Sequence, residues 1–184
     1  MRALVVYESM FGNTEAIAKA IVEGLRLHAD VELAEVGAAP PTIGDDIALL
    51  VVGGPTHAHG MTTPDTRADA ARRAGDRLVS QGGGIREWIQ AIPATPAALD
   101  AAAFDTRIHG PGILWGSAAK AMAKLLKDAG HRMVASPESF LVGGPTGPLF
   151  DRLLDGELGR ARRWGVELGE QLAREAPKRQ AVTA

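Results

Sequence analysis

The residues that could do chemistry are concentrated in a short polar stretch near the N-terminus, Ser9-Met10-Phe11-Gly12-Asn13-Thr14. It follows an apolar run, Ala3–Tyr7, and precedes a segment with apolar residues at helical spacing. The first turn of a helix has N–H groups without intrahelical partners, and the helix dipole makes this end partly positive. The hydroxyl and amide side chains add donors, and Gly12 lets the backbone approach a ligand closely. The pattern indicates an anion site, and because the stretch has no Lys or Arg it suits a phosphate monoester better than a metal-bound triphosphate.

A second break in the chain favours a ligand site over a simple N-capping turn, for which one Ser, Thr or Asn is enough. Ile47–Val52 is apolar at every position, as a central parallel strand covered on both faces requires. The run ends in Gly53-Gly54-Pro55-Thr56, and we predict a ligand loop over Pro55–Gly60. In open parallel sheets, ligands bind outside the carboxyl ends of the strands where the strand order reverses. The two breaks are therefore predicted to meet in one crevice.

Apolar periodicity predicts strands that alternate with helices along the chain. The predicted strands are Ala3–Tyr7, Asp30–Val36, Ile47–Val52, Ala101–Ile108 and Met133–Val142. The predicted helices are Thr14–Leu27, Ala68–Val79, a helix from Ile85 that ends before Pro93, Ser117–Ala129 and Gly156–Arg174. Such alternation implies right-handed crossovers and a parallel α/β sheet with helices on both faces. Residues 60–84 are the least readable part, and the arginines there are interpreted as solvated helix faces.

The motifs resemble those of the flavodoxin family. Ser9-x-x-Gly12-Asn13-Thr14 is similar to the FMN phosphate loop of flavodoxins, and Met10-Phe11-Gly12 resembles the loop of the tryptophan-repressor-binding-protein-like quinone oxidoreductases. Gly54-Pro55-Thr56 is similar to the flavodoxin loop after strand 3. The resemblance implies a three-layer sandwich with a five-stranded parallel sheet of order 2-1-3-4-5, in a single domain over residues 1–176. Residues 62–82 match poorly, and residues 177–184 are predicted to be a disordered tail.

The resemblance also implies a cofactor, FMN, held without a covalent bond. Its phosphate would be held by Ser9, Met10, Phe11, Gly12, Asn13 and Thr14, with main-chain groups acting at Met10 and Phe11. Phe11 stands where flavodoxins usually carry Thr, which removes one hydroxyl. The isoalloxazine ring would lie between Pro55–Gly60 and the loop after strand 4. The residues implied there are Pro55, Thr56, His57, Ala58, Gly60, Asp105, Thr106, Arg107, His109 and Trp115.

The flat side chain that would cover the ring is not fixed by the sequence, because neither ring loop contains a Tyr. His57, His59, His109 and Trp115 are the candidates, and contact is favoured for His57. Trp115 suits ring contact and packing against the following helix equally. A carbonyl near Gly60 is implied to accept a hydrogen bond from N5 of the ring. His57 and His59 also suggest a metal site, but two ligands without a nearby acidic third make this the weaker interpretation.

Composition narrows the possible functions. Twenty basic residues against 22 acidic ones give a net charge of −2, without the basic excess of a nucleic-acid-binding protein. The chain has no cysteine, which excludes disulfides, thiol catalysis and cysteine-ligated metals. No apolar run approaches the roughly 20 residues of a membrane span, and we expect a cytoplasmic location.

The sequence contains no group of residues typical of a general acid, base or nucleophile. Three functions are compatible with it. We predict an FMN-binding electron-transfer protein that exchanges electrons with redox partner proteins or with a small-molecule donor and acceptor. An FMN-dependent NAD(P)H:quinone reductase is the first alternative. A flavin-free binding or regulatory module of the same fold is the second.

Overall fold

Strands and helices alternate in the computed structural model, which describes residues 1–57, 59–93, 99–109, 116–144 and 152–182, with side chains through residue 175. The strands are β1 Arg2–Tyr7, β2 Asp30–Glu35, β3 Ile47–Pro55, β4 Asp100–Ile108, β5 Arg132–Met133 and β6 Glu138–Val142. The helices are α1 Asn13–Leu25, α2 Pro64–Ala74, α3 Ile85–Ala91, α4 Ala118–Asp128 and α5 Glu157–Val182. None of the helices in these ranges is both long enough and apolar enough to cross a bilayer.

The sheet is parallel, with strand order β2-β1-β3-β4-β5 and with β6 also paired to β4. The predicted order 2-1-3-4-5 is confirmed, as are helices on both faces. The predicted strand Met133–Val142 is corrected to two strands, β5 and β6, so that the sheet has six strands instead of five. The interruption contains Pro137, which has no N–H to donate to a neighbouring strand.

Strand β3 continues past the predicted break at Gly53 and ends at Pro55. Gly53 pairs with Phe104 of β4, and a Cβ at Gly53 would lie 2.0 Å from the Phe104 ring. The glycine therefore makes room for an aromatic ring in the core, where the sequence suggested only a turn. The Phe104 ring packs edge-on against Phe140 and Trp164, with ring centroids 6.1 and 6.3 Å away.

Two apolar layers bury the two faces of the sheet. One layer includes α1 and α5, and the other includes α3 and α4. Helices α1 and α5 touch through backbone, since a Cβ at Gly24 would lie 2.1 Å from the carbonyl oxygen of Arg162. The converse also holds, because a Cβ at Gly165 would lie 2.2 Å from the carbonyl oxygen of Ile21. Glycine at both positions is thus a condition for this close helix crossing.

Two helices differ from their predicted bounds by more than two residues. One of them, α2, ends at Ala74 and not at Val79. Helix α2 begins at Pro64 and not at Ala68, because Thr63 and Thr66 form a reciprocal capping box ahead of a proline in the first turn. Helix α5 continues to Val182, beyond the predicted end at Arg174. A single domain over residues 1–176 and disorder in residues 177–184 remain predictions.

Candidate functional site

The first loop, Ser9–Thr14, connects β1 to α1. Gly12 adopts a left-handed conformation (φ 92°) that glycine accepts without strain. The hydroxyl oxygen of Ser9 accepts hydrogen bonds from the N–H of Gly12 (3.1 Å) and of Glu15 (3.3 Å). Amide donors at the start of α1 therefore converge on one oxygen atom. A phosphate oxygen needs the same arrangement, although Ser9 also caps the helix by itself.

The segment after α2 braces this loop from outside. The N–H of Val79 donates to the carbonyl of Met10 (3.2 Å), and the N–H of Ser80 donates to the carbonyl of Ser9 (2.8 Å). The N–H of Ser9 in turn donates to the hydroxyl of Ser80 (2.9 Å). The backbone of the loop is therefore fixed by residues 79 and 80, which lie in the stretch that was unreadable in the sequence.

A cavity of about 580 Å³ opens at the carboxyl edge of the sheet. It is lined by predicted residues of the first loop, of the end of β3 with the turn after it, and of the end of β4, namely Ser9, Met10, Phe11, Asn13, Thr14, Pro55, Thr56, His57, Thr106 and Arg107. Its size is within the usual range for small-molecule sites. The first loop and the segment after β3 thus meet in one crevice, as the position of the two breaks predicted, and the end of β4 also lines it.

Several predicted residues do not line this cavity. Gly12 and Gly60 lie in the loops beside it, Asp105 is fully buried, and His109 is exposed. Ala58 and Trp115 lie outside the described residues. The lining residues that sequence reasoning missed are Asp65, Thr66, Asp69, Ala70, Arg73, Arg77, Ile108, Val142, Gly143 and Gly144.

Most of the missed residues belong to α2 and the turn that follows it. Their spacing places them on one helix face. A polar face of this kind was the signal in the sequence that could have identified them as cavity-lining residues. Helix α2 is held in place by Arg67, whose guanidinium binds both carboxylate oxygens of Glu87 at 3.2 Å. The side chain of Arg67 is only 13% exposed, so its interpretation as a solvated residue is wrong.

A hydroxyl pair connects the first loop to β4. The hydroxyl oxygens of Thr14 and Thr106 lie 2.7 Å apart, and both residues are buried. One proton forms this bond, which leaves the second hydroxyl proton available to an acceptor in the cavity. The pair therefore fixes the spacing between the two loops and still offers a donor.

Asp105 has a bracing role in place of the predicted ring contact. Its Oδ2 accepts hydrogen bonds from the Thr56 hydroxyl (3.0 Å), the Ser117 hydroxyl (2.7 Å) and the Ala119 N–H (2.9 Å). The Thr56 hydroxyl oxygen also accepts from the N–H of Ala118 (2.9 Å). A buried carboxylate at the start of α4 thus joins the ends of β3 and β4 to that helix, where the helix dipole favours negative charge. Its other oxygen, Oδ1, has no hydrogen-bond partner among the described residues.

The turn His57–Gly60 follows β3, and its first residue, His57, lines the crevice. His57 and Gly60 exchange two backbone hydrogen bonds, at 2.9 and 3.0 Å, so both backbone groups of Gly60 are engaged. His59 adopts φ 75°, a left-handed conformation that is uncommon for residues other than glycine. Gly116, just before α4, packs flush against this turn, since a Cβ there would lie 1.5 Å from the carbonyl oxygen of His59.

The His57 side chain faces α2 across the cavity. Burial lowers the pKa of His57, and the nearby guanidinium of Arg73 lowers it further. Asp69 and the backbone of Thr66 act in the opposite direction without reversing the shift. A lowered pKa keeps the imidazole neutral at pH 7, which suits contact with an uncharged ring system.

In the part of the chain that the structure describes, no three His, Asp or Glu side chains form a group that could hold a metal.

Glu8 is a buried carboxyl group that the sequence interpretation passed over. It directly precedes the first loop, and it accepts hydrogen bonds from the Thr62 hydroxyl (2.7 Å) and the Ile85 N–H (2.9 Å). Burial raises the pKa of Glu8, and these two hydrogen bonds offset the rise only in part. Glu8 thereby ties the end of β1 to the segments that begin α2 and α3.

Replacing Glu8 with Gln should remove a pH dependence of stability. Because the pKa of Glu8 is raised in the folded protein, the folded state keeps a proton that the unfolded chain has lost. Its contribution to stability therefore falls as pH rises from the ordinary carboxyl range through the raised pKa, and is constant above it. Urea unfolding of wild type and E8Q at a series of pH values should give curves whose difference changes through this range.

The difference in stability between wild type and E8Q does not include the other carboxyl groups, because both proteins contain them. The pKa of Asp46 is lowered by its hydrogen bond from Arg2, so Asp46 contributes stability that is lost as pH falls, equally in both proteins. A constant difference between wild type and E8Q across the pH series would show that Glu8 does not titrate in this way.

Comparison with known proteins adds information on the fold. No protein-family model and no curated protein matches the chain. Among solved structures, a flavodoxin from the domain Archaea matches with TM-score 0.64 and 21% identity, over 94% of this chain and 99% of that one. Flavodoxin 2 from Bacillus cereus matches with TM-score 0.59 and 18% identity, over 93% and 99%. A flavodoxin, WrbA-like protein from Agrobacterium tumefaciens matches with TM-score 0.52 and 18% identity, over 94% and 98%.

Proposed function

We propose that this chain, whose fold is that of the flavodoxins, binds FMN non-covalently in the crevice and takes part in electron transfer. The observation that carries the proposal is a cavity lined by the first loop, by the end of β3 with the turn after it, and by the end of β4. The chemistry of its donors fits the two ends of this cofactor. Amides and hydroxyls converge at one end, and a neutral imidazole stands at the other.

The first loop would hold the phosphate. Ser9, Asn13 and Thr14 line the cavity there with polar side chains, and the start of α1 contributes N–H donors. A phosphate oxygen would compete with the Ser9 hydroxyl for the amide protons of Gly12 and Glu15. The site therefore needs no change of backbone conformation to bind an anion.

The remaining loops would hold the ring. FMN supplies one- and two-electron redox chemistry when it is bound. Thr106 offers a hydroxyl, and His57, at the start of the turn His57–Gly60, offers a flat uncharged face. Because both groups of Gly60 already have partners, a switch of its peptide would have to break a bond of 2.9 or 3.0 Å.

A reductase that acts on a small substrate is the second candidate. It is supported by the polar face of α2, which forms a wall of the cavity and lies where the flavodoxin motifs match poorly. A pure electron carrier needs only an accessible cofactor edge, whereas a wall with Asp65, Thr66 and Asp69 offers groups to a second ligand. The flavin-free module remains the third candidate, because Ser9 alone caps α1.

Titration of ligand-free protein with FMN, followed by flavin fluorescence, tests the proposal. One-to-one binding is expected, and a folded protein that does not bind FMN would favour the flavin-free module. A turnover assay with NAD(P)H and a quinone on the loaded protein then separates the carrier from the reductase. Sustained turnover would identify the reductase.

Thr14→Val should weaken FMN binding by about tenfold to a hundredfold, as expected for one lost hydrogen bond to a charged group. Thr106→Val is the matched control, because both variants break the same 2.7 Å hydroxyl pair. Riboflavin, which lacks the phosphate, separates their effects. T14V should weaken FMN alone, whereas T106V should change the affinities of FMN and riboflavin by the same factor. The prediction would be contradicted if T14V and T106V lost FMN affinity equally and each lost riboflavin affinity by the same factor. The phosphate would then bind elsewhere.

A further inference from the structure

Arg77 lies in the turn after α2 and lines the same cavity as the first loop. Its position is fixed by the residues that follow it, because Val79 and Ser80 are hydrogen-bonded to the backbone of Met10 and Ser9. Arg77 therefore lies only two residues before the first of these backbone contacts with the loop that carries the convergent amides.

Among the described residues, no acidic side chain forms an ion pair with Arg77. Arg72 and Arg73 both pair with Asp69, at 3.2 and 2.7 Å. By contrast, no described acidic side chain lies within ion-pair distance of Arg77, and the residue is exposed. An exposed, unpaired guanidinium can change rotamer to reach an anion without breaking an existing contact.

The first loop itself contains no Lys or Arg. A phosphate monoester carries between one and two negative charges at neutral pH, and hydroxyls and amides neutralise none of it. A guanidinium binds two phosphate oxygens at once, with hydrogen bonds stronger than those between neutral groups. The cation that the loop lacks is thus available on the neighbouring turn.

We propose that Arg77 binds the phosphate of the nucleotide in this cavity and makes the site specific for the phosphorylated cofactor. This inference rests on the proposed function and deepens it. It assigns a binding role to a residue of the stretch 62–82, whose arginines were interpreted as solvated helix faces.

Affinities of wild type, R77Q and R72Q for FMN and for riboflavin test the proposal. R77Q should weaken FMN by at least tenfold and change riboflavin by less than twofold, because riboflavin has no phosphate. R72Q is the matched control, since Arg72 is also an exposed arginine but does not line the cavity. It should change neither affinity. Raising the salt concentration should weaken FMN binding to wild type more than to R77Q.

Inorganic phosphate gives a readout that is independent of the ring. It should displace FMN from wild type at lower concentration than from R77Q when the two proteins are compared at equal FMN saturation. Unchanged FMN affinity in R77Q, or equal losses for FMN and riboflavin, would overturn the role of Arg77. Wild type that binds neither flavin would instead overturn the proposed function, and the two failures are therefore distinct.

Discussion

Asp105→Ala is expected to lower the free energy of unfolding by about 2–4 kcal/mol. The variant removes the acceptor shared by the Thr56 hydroxyl, the Ser117 hydroxyl and the Ala119 N–H. Each buried donor left without a partner costs about 1–3 kcal/mol, and the two hydroxyls recover part of this through water because they are only partly buried. Urea unfolding followed by circular dichroism measures the change.

Asp105→Asn is the control that separates the acceptor from the charge. Asn keeps an oxygen where Oδ2 accepts three bonds, and it places its amide nitrogen at Oδ1, which has no partner among the described residues. D105N should therefore lose less stability than D105A. Equal losses in the two variants would show that the negative charge at the start of α4 matters more than the hydrogen bonds.

Gly116→Ala should displace the turn His57–Gly60 and weaken FMN binding by at least tenfold. The added methyl group would lie 1.5 Å from the carbonyl oxygen of His59, and neither backbone can absorb this overlap without moving. Overpacking of this kind costs about 1–3 kcal/mol of stability, occasionally more. Thermal unfolding of the ligand-free protein and FMN titration of the same sample measure the two effects separately.

Gly60→Ala is the matched control for this variant. Gly60 lies in the same turn, but a Cβ there has nothing within 4 Å and the backbone is not left-handed. Its stability should stay within about 0.5 kcal/mol of wild type. Wild-type behaviour in G116A would contradict the close approach of Gly116 to His59, and a large loss in G60A would show that the whole turn is intolerant of substitution.

The sequence pattern was sufficient for the alternation of strands and helices, and the resemblance of its motifs to those of flavodoxins supplied the order of the strands. Apolar runs such as Ile47–Val52 can be recognised from neighbouring residues alone, and so can the polar stretch Ser9–Thr14. Gly53 shows where this reasoning fails, because a glycine that makes room for Phe104 and a glycine that ends a strand are identical in sequence. The contact that distinguishes them joins residues far apart in the chain.

The roles of the charged residues were harder to predict from the sequence than the strands and loops were. Glu8 and Asp105 are fully buried braces, but a carboxylate at the end of a strand gives no local sign of the donors it will meet. Arg67 and Arg77 lie close together in sequence; one is paired and mostly buried, while the other is exposed at the cavity. Only the position of α2 relative to the sheet decides between these outcomes.

The backbone contact between Gly24 and Gly165 has a consequence for biosynthesis. Helix α1 leaves the ribosome well before α5, which covers its apolar face. Until residues near Gly165 emerge, the buried side chains of α1 have no partner helix, and non-local contacts of this kind form slowly. Nascent chains that stop before α5 should therefore expose this face and depend on chaperones, while chains that include α5 close it when that helix docks.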